Sequence, residues 1–372
     1  MKRIIIGNKL GKARVAIGEG LTTKINMIVG ANNDNQETIG REKAKIDLGA
    51  RLGVHTITDL SMIRLKKPLW QYVREKYPHI AVSMNPPYLP FVENGGRVAP
   101  SKLFEEIKRY VEKGGDCMTM NFVPATLADL KKHVEGRAIP ITSRQGGILA
   151  KFMIQYGQDN PYYKIWSDLL PLLKKYHITV NIGSTFRPAG IAEAYDPAHQ
   201  WEIKEQMKMY KLLDQAGIQS LVEIMSHQPL GQIGSGIIHI RRQYGSYVPF
   251  QLLGPTVTDI ASGQYDYIAS LIGAAEAARY NAGKVTVIPA NEHVGFPTLK
   301  DLEIGIIGTK IAVHAGDLTR LPEVMAEDKN ILKLRAAHKS CNPYLDAAGC
   351  NKCGPYCPLL LVKGDEAQNR KK

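Results

Sequence analysis

The chain has 372 residues, 44% of them hydrophobic and 22% charged, a balance that suits a globular protein and excludes a fibrous or disordered one. Its formal net charge is +13, yet the basic residues fall in short scattered groups, such as Arg64, Lys66 and Lys67 or Arg241 and Arg242, and aromatics make up only 7%. Such scatter argues against a nucleic-acid groove and suits an anionic small molecule as the partner.

In chain order, residues 1–18 lack the apolar core of a secretion signal, and no later run is long and apolar enough to span a bilayer. A cytoplasmic, reducing setting without membrane attachment is expected, in which clustered cysteines read as metal ligands rather than disulfides. From residue 24 onward a short β-branched run alternates with a helical stretch. The strand-like runs are 24–30, 54–58, 80–84, 117–122, 178–182, 220–224, 250–253 and 285–289, with amphipathic segments at 42–52, 103–112, 201–213 and 268–279. Repeated βα units imply a parallel sheet. About eight of them favour a closed α/β (β/α)8 TIM-type barrel over an open sheet, as does the absence of a Gly-rich dinucleotide fingerprint after the first strand. The pattern stops near Leu318. A helical stretch at 327–339 follows, and then Pro343, Gly349, Gly354, Pro355 and Pro358 end regular helix. The expected organisation is a catalytic barrel over 1–318, a helical linker with a Cys-rich region over 319–362, and a polar, disordered tail over 363–372.

Barrel enzymes place their chemistry at the carboxyl ends of the strands. Polar residues gather at those positions here: Asn26, Asp59, Ser61, Asn121, Ser143, Arg144, Arg187, Glu223, His227 and His293. His227 and His293 are expected on strand-to-helix loops, where two imidazoles and a carboxylate suit a divalent metal with open positions. Ser143-Arg144-Gln145-Gly146-Gly147 and Gly183-Ser184-Thr185-Phe186-Arg187 are each expected after a strand. Their small residues let backbone N–H groups approach an anion, while arginine grips phosphate or carboxylate bidentately.

Four of the five cysteines lie beyond residue 340, and three form Cys350-x2-Cys353-x3-Cys357. Three closely spaced thiolates suit an iron–sulfur cluster with one open iron. A structural zinc would need a fourth ligand, which Cys341 could supply. Spacing alone leaves both open. Cys117, inside an apolar strand, reads as a small buried hydrophobe.

Together these segments resemble the phosphomethylpyrimidine synthase (ThiC) family of radical S-adenosylmethionine enzymes. The stretches that carry the resemblance are Thr23-Lys24-Ile25-Asn26, Asp59-Leu60-Ser61, Ser143-Arg144, Arg187-Pro188, Glu223 with His227, Leu253-Gly254-Pro255 with Thr258-Asp259-Ile260-Ala261, Glu292-His293 with Pro297, and the cysteine triplet. They occur in family order over nearly the whole chain. The resemblance implies a (β/α)8 barrel whose tail carries a 4Fe–4S cluster held by Cys350, Cys353 and Cys357. It also implies that S-adenosyl-L-methionine is cleaved there to a 5′-deoxyadenosyl radical. A divalent metal, zinc or iron, would sit at His227 and His293, and Glu223 would act as a catalytic carboxylate at the substrate. Asn26, Asn121, Ser143, Arg144, Arg187 and Gln251 would line the substrate site. A small phosphorylated substrate, a one-electron reductant such as flavodoxin or ferredoxin, and a homodimer are implied with them.

The chain departs from the family pattern at several points. The cysteine spacing is x2 then x3 rather than x2 then x4. Gln145 stands for Gly, Asn121 for His, Ile28 for Asn, Gln251 for Tyr, and Ser184-Thr185-Phe186 precede Arg187 in place of Asp-Gly-Leu. The family's large N-terminal domain is not expected, which makes the chain a short, divergent paralogue. Cluster and metal residues persist while pocket residues change. The resemblance makes conversion of 5-aminoimidazole ribonucleotide to hydroxymethylpyrimidine phosphate the default reading. The alternatives are 5-hydroxybenzimidazole synthesis, a different substrate, or a non-catalytic regulatory or zinc-stapled RNA-binding protein.

Overall fold

The computed structural model describes residues 3–244, 247–344 and 352–361. Cys350 and the expected polar tail lie outside the described residues. The chain divides into two compact units, Met1–Asp317 and Leu318–Lys372.

In the first unit the strands are β1 (Arg3–Ile6), β2 (Val15–Gly18), β3 (Lys24–Val29), β4 (Thr56–Asp59), β5 (Ala81–Met84), β6 (Cys117–Met120), β7 (Thr179–Ile182), β8 (Ser220–His227), β9 (Phe250–Thr256) and β10 (Gly283–Thr286). Strands β3 to β10 form a closed parallel barrel, β10 pairing back onto β3. Every strand-like run read from the sequence is a barrel strand. The surrounding helices are α1 (Gln36–Arg51), α2 (Leu69–Lys76), α3 (Tyr88–Glu93), α4 (Pro100–Glu112), α5 (Leu127–Val134), α6 (Arg144–Tyr156), α7 (Trp166–Tyr176), α8 (Pro197–Gln215), α9 (Leu230–Tyr244), α10 (Asp266–Arg279) and α11 (Leu299–Asp317). The second unit holds α12 (Met325–His338) and the short α13 (Pro358–Leu361).

Side chains alternate across each strand, and here the alternation separates polar from apolar. Ile25, Met27 and Val29 of β3 belong to the core shared with the outer helices. Asn26 between them turns inward, where its Nδ2 donates to Thr286 Oγ1 and its Oδ1 accepts from Thr56 and Thr58. Asn181 likewise donates to Thr119 across the β6–β7 pair. Asn26, Thr58, Thr119, Asn181, Glu223, Gln251 and Lys284 are all buried, so the barrel interior is a polar network rather than the usual branched aliphatic filling.

The antiparallel β1–β2 hairpin stands outside the barrel and was not apparent in the sequence. Its Ile4, Ile6, Val15 and Ile17 pack with Ala81, Cys117 and Leu221 near the amino ends of β5, β6 and β8, closing that end. Asn8 bolts it in place: its N–H donates to Asp116, its Nδ2 donates to the carbonyls of Val111 and Gly115, and its Oδ1 accepts from Leu10 N–H. Asn8→Ala strands the buried Gly115 carbonyl at about 1–3 kcal/mol and removes the acceptor of Leu10 N–H, while Val111 O keeps Gly114 N–H. It is expected to cost about 3 kcal/mol in urea unfolding; a loss below about 0.5 kcal/mol would show that the hairpin is not seated by this residue.

Candidate active site

An open cavity of about 300 Å3 lies in the barrel, within the range of small-molecule sites. Asn26, Asn121, Ser143, Arg144, Arg187, Glu223 and Gln251 all line it, together with His293. Asp59 and Ser61 do not. Asp59 instead accepts from Ser61 and from Trp70 N–H at the start of α2, a capping role.

Glu223 organises the cavity floor. One carboxylate oxygen accepts from Arg187 Nη1 at 3.1 Å; the other accepts from Asn181 Nδ2 at 3.1 Å and Gln251 Nε2 at 3.2 Å. Gln251 and Glu223 face each other in the β8–β9 register, and that register slips twice beyond them, between Glu223 and Met225 and again before His227. Such irregularities re-aim side chains beside functional sites. Deeper in the barrel the fully buried Lys284 feels the charge of Glu223. Burial nonetheless pulls its ammonium below the ordinary lysine range.

The Ser143 segment does not follow a strand, contrary to expectation. The β6–β7 connection contains α5, α6 and α7, and Ser143 is the N-cap of α6, its Oγ accepting from Gly146 N–H at 3.2 Å. The helix start still faces the cavity, so Arg144 and the first-turn N–H groups retain their suitability for an anion. Gly146 has no room for a Cβ, which would lie 3.0 Å from Thr185 Cα. Asn121 donates to Thr185 Oγ1 at 3.0 Å, and Gln145 donates to Tyr162, so both of these departures from the family pattern have partners inside the protein.

The histidines are placed differently from each other. His293 lies on the β10–α11 loop and lines the cavity. His227 is the last residue of β8, paired with Thr256, and lies outside the cavity lining. The expectation of a loop position fails for His227 because the two register slips carry β8 onward to it. Each ring has a carboxylate at Nδ1: Asp259 for His227 at 2.8 Å, and Asp266 for His293 at 2.6 Å. Carboxylates there leave the Nε2 lone pairs available, the arrangement of metal-ligating imidazoles. Among the described residues, however, no group of three or more His, Cys, Asp or Glu gathers to hold an ion. In the second unit Cys341 and Cys353 are exposed and Cys357 is half-buried, beside a 3-10 turn at Gly354–Tyr356.

The family model described as "Radical SAM ThiC family" matches residues 2–348. The chain belongs to the radical SAM ThiC family. It is 31% identical over 373 residues to the phosphomethylpyrimidine synthase of Pyrobaculum aerophilum, covering 94% of this chain and 86% of that protein. The synthase of Desulforamulus reducens is 31% identical over 380 residues, with 94% and 85% covered, and that of Ignicoccus hospitalis 28% over 389, with 97% and 88%. Among solved structures, the 7,8-dihydropteroate synthase of Vibrio fischeri ES114 overlays 78% of this chain and 92% of its own with a TM-score of 0.43 and 10% identity, too remote to carry an argument. As a radical SAM ThiC-family protein this chain is an enzyme, and membership implies S-adenosylmethionine and an iron–sulfur cluster. The family match ends just before Cys350, so the cysteine triplet lies beyond it. Among the described residues no helix is long and apolar enough to cross a membrane.

Several site residues escaped sequence reasoning. Tyr88 and Asn85 line the cavity from the β5–α3 turn, and the Pro86-Pro87 pair after a strand was the available signal. Burial pushes the Tyr88 phenol up to about 12, with Arg144 and Arg187 pulling the other way. Glu292, quoted only as a motif neighbour of His293, also lines the cavity, and burial raises its carboxyl above the ordinary range.

Proposed function

We propose that this enzyme converts 5-aminoimidazole ribonucleotide to the hydroxymethylpyrimidine phosphate of thiamine biosynthesis. The convergence of two arginines, a helix N-terminus and a hydrogen-bonded carboxylate on one cavity carries this reading. Ser143, Arg144 and Arg187 bind the substrate phosphate; Asn26, Asn121 and Gln251 contact the remainder; Glu223 orients the reacting ring and handles its protons. Cys350, Cys353 and Cys357 hold a 4Fe–4S cluster, which supplies the electron that cleaves S-adenosylmethionine. His227 and His293 hold a divalent metal, zinc or iron. The enzyme works in the cytoplasm as a homodimer and takes electrons from flavodoxin or ferredoxin.

Anaerobic turnover with the ribonucleotide, S-adenosylmethionine and a reductant tests the reading by product mass. S-adenosylmethionine consumed while the ribonucleotide is untouched would overturn it. A second reading, 5-hydroxybenzimidazole or a product of another substrate, is favoured by one observation: Gln251 and Asn121 spend donors on Glu223 and Thr185 rather than leaving them for a ligand. The same mass spectrum separates the two. For the metal, Asp259→Asn removes the carboxylate behind His227 and is expected to weaken binding of Zn2+ about 10–100-fold in a chelator competition. Undiminished affinity would remove His227 from the metal site.

A further inference from the structure

We propose that Glu202, on α8, is the positioning residue that sets the turn presenting Arg187 to the cavity; this rests on reading Arg187 as an anion-binding residue. Glu202 is fully buried. Its carboxylate accepts from three successive residues: Ser184 Oγ, Thr185 N–H at 2.5 Å and Phe186 N–H at 2.9 Å. The next residue is Arg187, whose guanidinium reaches Glu223.

A carboxylate in a dry site is costly, and a leucine would fill the space with less penalty. Here the anion acts almost wholly on one turn. That turn is otherwise tightly confined: Thr185 Oγ1 donates to Val123 O at 2.5 Å and accepts from Asn121, and a Cβ at Gly183 would meet Asn121 Oδ1 at 2.1 Å. Through Thr185 and Arg187, Glu202 therefore orders two sides of the cavity without touching it.

Burial raises the Glu202 carboxyl to about 7, against the opposing pull of its three hydrogen bonds and of Arg187. Other titratable or charged groups on the packed elements are turned elsewhere. His133 of α5 stacks on Trp201, Arg137 lies over the Phe186 ring, and His199 of α8 bonds to Ile224 O. Protonation puts an O–H among groups that already donate. Ser184 can rotate to accept, but the N–H groups of Thr185 and Phe186 are then left on a neutral carboxyl, a weaker acceptor than the anion, so the turn loosens as pH falls through about 7. Global stability responds in the opposite sense. The folded-state value is raised above the ordinary one, so the Glu202 contribution to stability is present at low pH and lost as pH rises through the folded-state value. A purely structural carboxylate would make local order and global stability move together.

The test uses the full chain and its Glu202→Gln variant, at about pH 6 and about pH 8, on either side of the titration. Hydrogen exchange of the Thr185 and Phe186 amides, corrected for intrinsic rates, reads the turn. Sulfate, which stays a dianion across this range, probes the cavity. In the wild type, amide protection and sulfate affinity should both rise toward pH 8, the affinity by about tenfold. The glutamine variant should show weak protection and weak sulfate binding at both values, with no loss of thermal midpoint. Wild-type exchange and sulfate affinity retained in the variant would overturn the role of Glu202. If the wild type binds no sulfate, the anion-site reading fails, while the exchange data still decide whether Glu202 holds the turn.

Discussion

Glu223→Gln is expected to weaken binding of 5-aminoimidazole ribonucleotide by about 100-fold or more and to reduce turnover to background. The geometry explains why so small a change has so large an effect. Asn181 can adapt, because its Oδ1 is buried without a partner and an amide flip would offer that oxygen to the new NH2 group. Arg187 keeps an acceptor in the glutamine oxygen but loses its counter-charge, which no rearrangement restores. Without the carboxylate 3.1 Å away the guanidinium is no longer held in place for the substrate phosphate, and the ring loses its orienting group, together about 2–5 kcal/mol. Arg187→Met should cost nearly as much alone, and the double variant scarcely more than either single one, because both remove the same pair. Isothermal titration with the ribonucleotide reads all three. Independent, additive losses would show that Arg187 and Glu223 do not act as a unit.

The second large effect falls on the cysteines. Cys353→Ala or Cys357→Ala is expected to abolish the brown iron–sulfur chromophore after anaerobic reconstitution, together with all 5′-deoxyadenosine formation. Cys341→Ala should retain about four irons per chain and full cleavage of S-adenosylmethionine. The contrast separates the two chemistries that the cysteine spacing allows. A zinc site would need Cys341 as its fourth ligand, and would be lost with Cys341 as readily as with Cys353. Stoichiometric zinc with no chromophore in the wild type would overturn the cluster.

Much of the barrel was legible because its strands are buried on both faces and recur with helices between them. Alternation within a strand was harder to read. Asn26 looked like a strand-end residue, yet it sits mid-strand, and its inward aim is set by Thr56, Thr58 and Thr286 on neighbouring strands. The position of His227 depends on register slips against β9, which involve residues far along the chain and leave no local signature. Ser143 does line the cavity but on a different element from the one expected, because an N-cap serine before glycines resembles a strand-to-helix turn. Glu202 lies in the amphipathic segment 201–213, whose pattern does not single it out. Only the packing of α8 against the turn after β7 buries it. The β1–β2 hairpin was missed because each strand has only four residues and no tight-turn sequence joins them.

That hairpin also imposes an order on biosynthesis. It precedes every segment on which it docks: Asn8 finds its acceptors 103 and 107 residues later, and Ile5 N–H finds the Gln219 side chain 214 residues later. At bacterial or eukaryotic elongation speeds of roughly 5–20 residues per second, Ile17 leaves the ribosome about thirteen to fifty seconds before its last partner, Gly283 of β10. During that interval the hairpin is a two-stranded ribbon with open edges, marginal by itself and prone to pair with other chains. The element that seals the amino end of the barrel is thus made before every segment that seats it, and nascent-chain protection matters most for residues 3–18.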